Sequence, residues 1–146
     1  MAASERDEQA RSEFRIKQAT LAVPNLVVLD ECATNISLHR THGYSLRGTR
    51  LYDKAPRNRG KNLTLICALN QHGLDPNAAF TFEGATDRVA FETYIEQLLV
   101  PQLVAGQTVI LDNLSSHKGT RVRELIEGCG CHLLYLPAYS PDFSPI

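Results

Sequence analysis

The sequence has no long apolar run. No stretch of its 146 residues approaches the roughly 20 consecutive apolar residues that a membrane-spanning helix needs. The N-terminus is charged and lacks the apolar segment that marks a secretory signal peptide. Apolar residues make up 43% of the chain and charged residues 21%, which argues against wholesale disorder and is typical of a folded domain. We therefore expect a cytoplasmic protein with one substantial core and no membrane partner.

Cysteine is sparse, and its spacing does not predict a disulfide framework. The four cysteines are Cys32, Cys67, Cys129 and Cys131, in a chain without a signal peptide. Cys129 and Cys131 could supply half of a metal site, but the sequence has no second closely spaced pair. We interpret the four residues as buried thiols packed among apolar side chains.

The chain also has little net charge. Its value of −1 argues against a protein that coats nucleic acid without specificity. The basic residues are nevertheless concentrated between residues 40 and 61, where only Asp53 opposes them. This basic segment contains Arg40, Arg47, Arg50, Lys54, Arg57, Arg59 and Lys61. It is either a solvated loop and strand face or a surface that contacts phosphate groups, and charge alone does not separate these alternatives.

The order of the apolar patterns predicts a mixed α/β fold. A weak N-terminal helix is expected over residues 3–19 and is ended by Val-Pro-Asn at 23–25. Hairpin strands come first and are followed by alternating helices and strands, an order typical of βαβ units. Strands are predicted at residues 26–31, 49–53, 62–70, 79–84, 108–112 and 131–137, and helices at 86–106 and 115–128. The hydroxyl of Thr86 is predicted to cap the first of these two helices, with Asp87 in its first turn, and Pro101 should kink or divide it.

Two aspartates follow apolar strands. Asp30 comes after Leu-Val-Val-Leu, and Asp112 comes after Thr-Val-Ile-Leu. A carboxylate at the carboxyl end of a strand can face a crevice, and neighbouring strands lie about 4.8 Å apart. If the two strands are parallel neighbours, the two carboxylates would repel each other unless a cation lies between them. Oxygen ligands favour Mg²⁺ or Mn²⁺ over zinc, although either aspartate alone could simply cap a turn.

Three further side chains near these acids are secondary candidates for the site. Glu31 should point to the strand face opposite that of the preceding aspartate, because side chains alternate along a strand. Asn113 and His117 follow the second aspartate, where an asparagine commonly stabilises a turn and a histidine commonly makes a surface hydrogen bond. The motifs HExxH and GxSxG and the phosphate-binding Walker loop are absent, and we interpret Ser115 and Ser116 as helix caps.

Five segments of the chain resemble a known family. They are LDE, PRNRGKNLTLICAL, FEGATD, VILDNLSSHKG and LLYLPAYSPDFSPI, in this order. Together they resemble the catalytic domain of bacterial insertion-sequence transposases in the mariner-related DDE superfamily, over residues 26–146. The succession of DNLSSHK and LPAYSPDFSPI is the specific part of this resemblance.

The resemblance implies a ribonuclease H-like fold, in which helices flank a mixed sheet. Residues 1–25, which precede the first predicted strand, are expected to form an N-terminal helical extension. It also implies metal-dependent cleavage of DNA at transposon ends, followed by strand transfer in which a freed 3′-hydroxyl attacks target DNA. Asp30 and Asp112 match the family's first two catalytic acids, which in the intact family belong to a two-metal site for Mg²⁺ or Mn²⁺. The implied partner is DNA, and a homodimer is a possible assembly.

A DNA partner gives the basic segment a reason to contact phosphate groups. Arg57, Arg59 and Lys61 are the candidates for that contact. The family's third acid, usually a glutamate, comes directly after the segment that matches SPDFSPI and opens a final helix. The sequence ends at Ile146, one residue before that position.

We therefore expect an incomplete catalytic domain that lacks the final helix and binds metal weakly. It would be a truncated remnant, one half of a frameshifted gene or a fragment of a longer sequence. The alternative function is a catalytically inactive nucleic-acid-binding protein that pairs with an intact transposase and regulates it. A third hypothesis is an unrelated α/β protein whose two aspartates cap turns.

Overall fold

A mixed sheet forms the centre of the fold. The computed structural model describes residues 6–54, 57–58, 60–114 and 117–145. Within these residues the strands are β1 (Leu26–Thr34), β2 (Leu63–Asn70), β3 (Gly73–Leu74), β4 (Phe80–Glu83), β5 (Thr108–Leu111) and β6 (His132–Tyr135). Their order is β3-β2-β1-β5-β6, and β4 also pairs with β2. The pairs made by β2 are antiparallel, whereas β5 and β6 run parallel to β1, as hairpins followed by βαβ units predict.

Three α-helices accompany the sheet in the described residues. They are α1 (Glu8–Thr20), α2 (Arg88–Tyr94) and α3 (Thr120–Gly128), and short 3₁₀ turns lie at Val23–Asn25, Pro76–Ala78 and Pro141–Phe143. Asp87, not Thr86, caps α2, because its carboxylate accepts the N–H of Ala90. Beyond α2 the chain widens into a π-type turn and then a 3₁₀ turn that contains Pro101. The predicted division at Pro101 is confirmed, since proline has no N–H to continue the helical hydrogen bonds.

Alternation along β1 sends its apolar side chains into two separate cores. Val27 and Leu29 pack on one face of the sheet with a large cluster that includes Phe91 of α2 and Ile126 of α3, both fully buried. Val28 faces the other side. There it packs in a smaller cluster with Phe14 of α1, Ile110 and Leu136. Each face of β1 thus packs against its own apolar cluster, so the predicted strand buried on both faces is confirmed for the apolar run.

Helix α1 is tied to the C-terminal segment of the chain, residues 137–145. The Arg11 guanidinium donates two hydrogen bonds to the Asp142 carboxylate, over 2.9 and 2.6 Å. This bidentate hydrogen bond holds the pKa of Asp142 below its ordinary value. The Phe143 ring lies 4.9 Å from the Phe14 ring and 4.3 Å from the Arg11 guanidinium carbon. These contacts fix the C-terminal segment against α1.

The strand predicted at residues 49–53 does not form. Residues 49–53 are described and lie outside every strand, in a long connection between β1 and β2. The prediction was wrong because the apolar residues that suggested a strand do not pack into a core. Leu51 is 48% exposed and Tyr52 is 82% exposed. The β2 strand is already paired on both sides, with β1 and with β4, so it offers no vacant edge to this segment.

The cysteines remain free thiols, as expected, but they are not all buried. Cys67 and Cys131 are buried, Cys129 is half-buried and Cys32 is exposed near the end of β1. The expectation of four buried thiols is corrected at Cys32, because the last residues of β1 extend beyond both cores. Among the described residues, no helix combines the length and apolar character needed to cross a membrane.

Candidate active site

The parallel pairing of β1 and β5 brings Asp30 and Asp112 to matching positions. Val28 lies opposite Ile110, and each aspartate follows its strand residue by two positions. Neighbouring strands lie about 4.8 Å apart, so the two acids occupy one small region of the sheet. Both line a single cavity of about 560 Å³. The parallel neighbourhood on which the prediction depended is present in the structure.

Asp30 differs in one respect from its expected place. The prediction put it at the end of its strand, but β1 continues to Thr34 and stays paired with β2 as far as Thr34 opposite Leu63. The parallel pairing with β5 ends earlier, at Val28. Asp30 therefore lies beyond the end of the parallel pair, where β5 has ended and space opens beside β1.

The C-terminal segment supplies much of the cavity lining. The residues that line it are Val28, Leu29, Asp30, Ile110, Leu111, Asp112, Asn113, Leu114, Lys118, Leu136, Pro137, Ala138, Tyr139, Ser140, Pro141 and Ser144. Lys118 is the single basic side chain in this lining. Tyr139 has a φ of 52°, a left-handed backbone conformation that non-glycine residues adopt at a cost. The cavity thus combines two acids, one lysine and an exposed aromatic ring.

Asn113 also belongs to the cavity lining. Its side-chain oxygen Oδ1 is buried and has no hydrogen-bond partner among the described residues. Buried polar atoms are usually paired, so an unpaired amide oxygen beside two carboxylates is suited to a ligand or an ordered water. The sequence predicted Asn113 only as a turn-stabilising residue or a secondary candidate for the site. In the structure it lines the same cavity as Asp30 and Asp112.

His117 links Asp112 to Glu31. Its Nδ1 lies 2.5 Å from Asp112 Oδ1, and its Nε2 lies 3.0 Å from Glu31 Oε1. The expectation of a surface hydrogen bond at His117 is corrected, because the residue is only 4% exposed. The histidine is buried because Phe91 of α2 stacks on its ring, with 4.0 Å between ring centroids. Glu31 occupies the strand face opposite that of Asp30, as alternation predicted, and does not line the cavity.

The charges of Asp112, His117 and Glu31 stabilise one another. Burial lowers the pKa of His117, but hydrogen bonds to Asp112 and Glu31 outweigh this effect and raise it to about 9. Burial likewise raises the pKa of Asp112, whereas hydrogen bonds from His117 and from the Leu114 N–H lower it, and the net direction is downward. At neutral pH we therefore expect a charged histidine between two carboxylates.

This arrangement predicts a pH dependence of stability. The pKa of His117 rises on folding from 6.5 to about 9, so its contribution is fully present below about pH 6.5 and is lost as pH rises through about 9. At 1.36 kcal/mol per pKa unit, the contribution is about 3 kcal/mol. Urea unfolding of the metal-free protein across this pH range should show the free energy of unfolding fall as pH rises, and the variant His117→Ala should not show this fall. If the free energy of unfolding depends on pH in the same way in both proteins, the assignment is contradicted.

The oxygen atoms at the cavity fit a magnesium or manganese ion. The Oδ1 atoms of Asp30 and Asp112 accept hydrogen bonds from the protein, whereas neither Oδ2 has a partner among the described residues. With Asn113 Oδ1 they form a set of oxygen donors, which Mg²⁺ and Mn²⁺ prefer. No group of three or more His, Cys, Asp or Glu side chains in the described ranges is arranged to hold a metal. Two acids alone are a weak set of ligands.

The basic segment lies outside the sheet, in the connection between β1 and β2. Its described basic residues are exposed, including Arg57. Lys61 is also exposed but lies 2.5 Å from the Glu83 carboxylate, so part of its charge is already balanced. Arg59, the third predicted DNA-binding residue, is outside the residues that the structure describes, as are Ser115 and Ser116.

Comparison with known families gives this site a context. The sequence model of the family described as DDE superfamily endonuclease matches residues 25–146. The chain belongs to this family. The predicted membership in the DDE superfamily is thereby confirmed. A separate search of curated proteins found no significant match.

Solved structures with the same fold come from the Mos1 mariner transposase. The Mos1 strand transfer complex is 20% identical, with a TM-score of 0.72 over 96% of this chain and 43% of that chain. The Mos1 paired end complex with Mn is 21% identical, with a TM-score of 0.68 over 94% of this chain and 43% of that chain. The Mos1 catalytic domain is 15% identical, with a TM-score of 0.58 over 94% of this chain and 62% of that chain.

These similarities confirm the predicted ribonuclease H-like fold for a DDE superfamily endonuclease. The chain spans less than half the length of the proteins in the first two complexes. Two features of the cavity were missed by sequence reasoning, Lys118 and Tyr139. Both lie inside the segments that carry the family resemblance, and Tyr139 precedes a Ser-Pro turn, so their position in these motifs was the available signal.

Proposed function

We propose that this chain is the catalytic domain of a transposase of the bacterial insertion-sequence type, which cleaves DNA and transfers the cut strand. The observation that carries the proposal is the meeting of Asp30 and Asp112 at matching positions of parallel strands, in one cavity. Membership in a family of DDE superfamily endonucleases supports it. The full transposition reaction is part of the proposal, because the chain spans only part of the Mos1 proteins it resembles.

In this proposal Asp30 and Asp112 would hold divalent metal through their Oδ2 atoms, which have no partner among the described residues, and Asn113 Oδ1 would be a further oxygen donor. Mg²⁺ or Mn²⁺ bound there would activate the attacking water or hydroxyl and stabilise the leaving oxygen of the phosphodiester. Lys118 makes no ion pair with any described residue and lines the same cavity, so it is available to contact a phosphate oxygen. The C-terminal segment, fixed to α1 by Arg11, lines the same cavity.

The proposed partner is DNA, namely transposon ends and target. The similar Mos1 structures include a strand transfer complex and a paired-end complex with the left transposon end, which supports this choice. The exposed arginines and lysines between β1 and β2 would contact the phosphate groups. We also propose that the protein acts in the cytoplasm and pairs with a second copy or with an intact transposase.

The direct test is cleavage of DNA that carries the transposon's terminal repeats. We expect nicks at the repeat ends in the presence of Mn²⁺ or Mg²⁺, and none after the metal is removed with a chelator. Cleavage that persists without metal would contradict the two-acid mechanism. Binding of the same DNA without cleavage in any metal would instead support the alternative function, a nucleic-acid-binding regulator of an intact transposase.

A separate prediction concerns the basic segment. A variant with Arg57, Arg59 and Lys61 changed to alanine should bind DNA more weakly, and its affinity should depend less on salt. Each lost phosphate contact should reduce the slope of log affinity against log salt by about 0.9. Fluorescence anisotropy with labelled duplex DNA at several salt concentrations measures both quantities.

The matched control removes the same charge from another surface. It changes Lys17, Arg88 and Arg121 to alanine, and Arg121 resembles Lys61 because it is paired with a glutamate, Glu96. We expect this variant to keep most of the affinity. Equal losses in both variants would mean that net charge, and not the basic segment, determines binding.

A further inference from the structure

His117 joins two acids that lie on opposite faces of β1. On one side its Nδ1 contacts Asp112 Oδ1, at the rim of the cavity, over 2.5 Å. On the other side its Nε2 contacts Glu31 Oε1 over 3.0 Å. The imidazole therefore bridges the sheet, from the cavity that holds the proposed metal site to the core beneath α2 and α3.

The imidazole is held by more than these two hydrogen bonds. The Phe91 ring stacks on it with an interplanar angle of 20°. The His117 carbonyl oxygen accepts a hydrogen bond from the Tyr135 hydroxyl over 2.8 Å, which attaches the residue to β6. Because the ring and the backbone of His117 are both fixed, the histidine is the rigid partner in its hydrogen bond with Asp112. The Asp112 carboxylate therefore takes its orientation from His117.

The hydrogen bonds at Asp112 use only one of its oxygens. Oδ1 accepts from His117 Nδ1 and, over 3.2 Å, from the Leu114 N–H. Oδ2 has no hydrogen bond in the part of the chain that the structure describes. Two donors on one oxygen define the plane of a carboxylate, so they also define where the other oxygen lies. Outer hydrogen bonds of this kind orient metal-binding side chains and increase metal affinity.

The Glu31 side chain lies outside the cavity, so it supports the site without binding the metal directly. Its side chain is 19% exposed and lies outside the cavity lining, and its contact to the site runs through the histidine. Its carboxylate orients the imidazole from the far side, so that Nδ1 faces Asp112. The Glu31 side chain thus acts on Asp112 through His117, whereas its backbone N–H donates to Asp30 Oδ1.

We infer that His117 is a positioning residue that holds Asp112 with Oδ2 presented to the metal, and that Glu31 anchors it from the other face of the sheet. The inference rests on the proposed metal-dependent function. It assigns Glu31 and His117 a shared role outside the ligand set. It also accounts for a buried histidine that packs on Phe91 of the large apolar core and bonds to two partly exposed acids.

The first test measures Mn²⁺ affinity by electron paramagnetic resonance of the free ion. His117→Ala and Glu31→Gln should each weaken binding by about tenfold, the lower range for partners of metal ligands. Glu31→Gln preserves side-chain volume and should remain folded, so it keeps the test valid if His117→Ala does not fold. The control Glu124→Gln makes the same charge change on the exposed face of α3 and should leave affinity unchanged.

The second test needs no metal. In the metal-free protein, the carboxyl carbon signal of Asp112 should shift in Glu31→Gln, although the two side chains do not touch. The shift should disappear when Glu31→Gln is made in the His117→Ala background, because the connection is then broken. Glu124→Gln should not move the signal in either background.

The outcomes separate the inference from the proposed function. If the unchanged protein binds no Mn²⁺ but Glu31→Gln moves the Asp112 signal through His117, the metal function fails and the positioning role survives. If Mn²⁺ binds through Asp30 and Asp112 but neither His117→Ala nor Glu31→Gln alters the affinity, the inference is overturned and the function stands. An Asp112 signal that ignores Glu31 also overturns the inference.

Discussion

Changing Asp30 to asparagine should reduce metal-dependent DNA cleavage by about a thousandfold. A bound metal ion contributes several kcal/mol of charge stabilisation to phosphoryl transfer, and about 4 kcal/mol corresponds to three factors of ten in rate. Asparagine has nearly the same shape as aspartate and can still accept the Glu31 N–H that Asp30 Oδ1 accepts over 2.8 Å. The loss should therefore come from the missing charge and not from a change of fold.

Asp112→Asn should cause a similar loss of cleavage, with an additional loss of stability. Asp112 pairs with His117, and removing its charge leaves the buried histidine with Glu31 as its remaining acidic partner. The comparison of the two variants separates catalysis from folding, because Asp30 has no ion-pair partner among the described residues. Cleavage rates with Mn²⁺ measure the first effect, and urea unfolding measures the second.

The matched control for both variants is Asp87→Asn. Asp87 caps α2 by accepting the Ala90 N–H, and asparagine caps helices about as well as aspartate does. The control makes the same chemical change away from the cavity, so cleavage should stay close to that of the unchanged protein. Full activity in Asp30→Asn would show that the shared acidic site is not the catalytic site.

The meeting of Asp30 and Asp112 could be predicted from sequence because it depends on few rules. Two apolar runs of similar length each precede an acid, and the carboxyl ends of neighbouring parallel strands meet at one edge of a sheet. The extent of β1 could not be predicted in the same way. Glu31 to Thr34 are half-buried or exposed and lack an apolar pattern, so only their pairing with β2 makes them a strand.

His117 shows why the remainder of the site was not accessible from sequence. Local patterns placed it near a helix start, and this position says nothing about burial. The residue is buried because Phe91, from a helix that is distant in the sequence, packs on its ring. Glu31 then becomes its partner across the sheet. Contacts between three distant segments decide its role, whereas the acids needed only one strand pair.

The exposed connection between β1 and β2 illustrates the opposite error. Its Thr-Arg-Leu-Tyr-Asp stretch has residues that favour strands, yet propensity forms a strand only where a partner and a buried face exist. Leu51 and Tyr52 have neither. The described basic residues of this connection are exposed, and their contact with phosphate groups stays a prediction.

Phe91→Ala should lower the free energy of unfolding by about 3–5 kcal/mol, the usual cost of removing a buried phenylalanine ring. Phe91 is fully buried in the large core. A domain of this size is stable by about 5–15 kcal/mol, so the variant should remain folded but with a melting temperature lower by roughly 10 °C. Urea and thermal unfolding followed by circular dichroism measure the change.

Phe80→Ala is the control, because Phe80 lies on β4 and is 45% exposed. Its loss should cost less than about 1 kcal/mol, since partly exposed side chains leave no closed cavity. Phe91 differs from other core residues in that its ring stacks on His117, so Phe91→Ala should also weaken Mn²⁺ binding at a cavity that it does not line. A variant that loses stability but keeps full Mn²⁺ affinity would show that the core supports the fold without orienting the site.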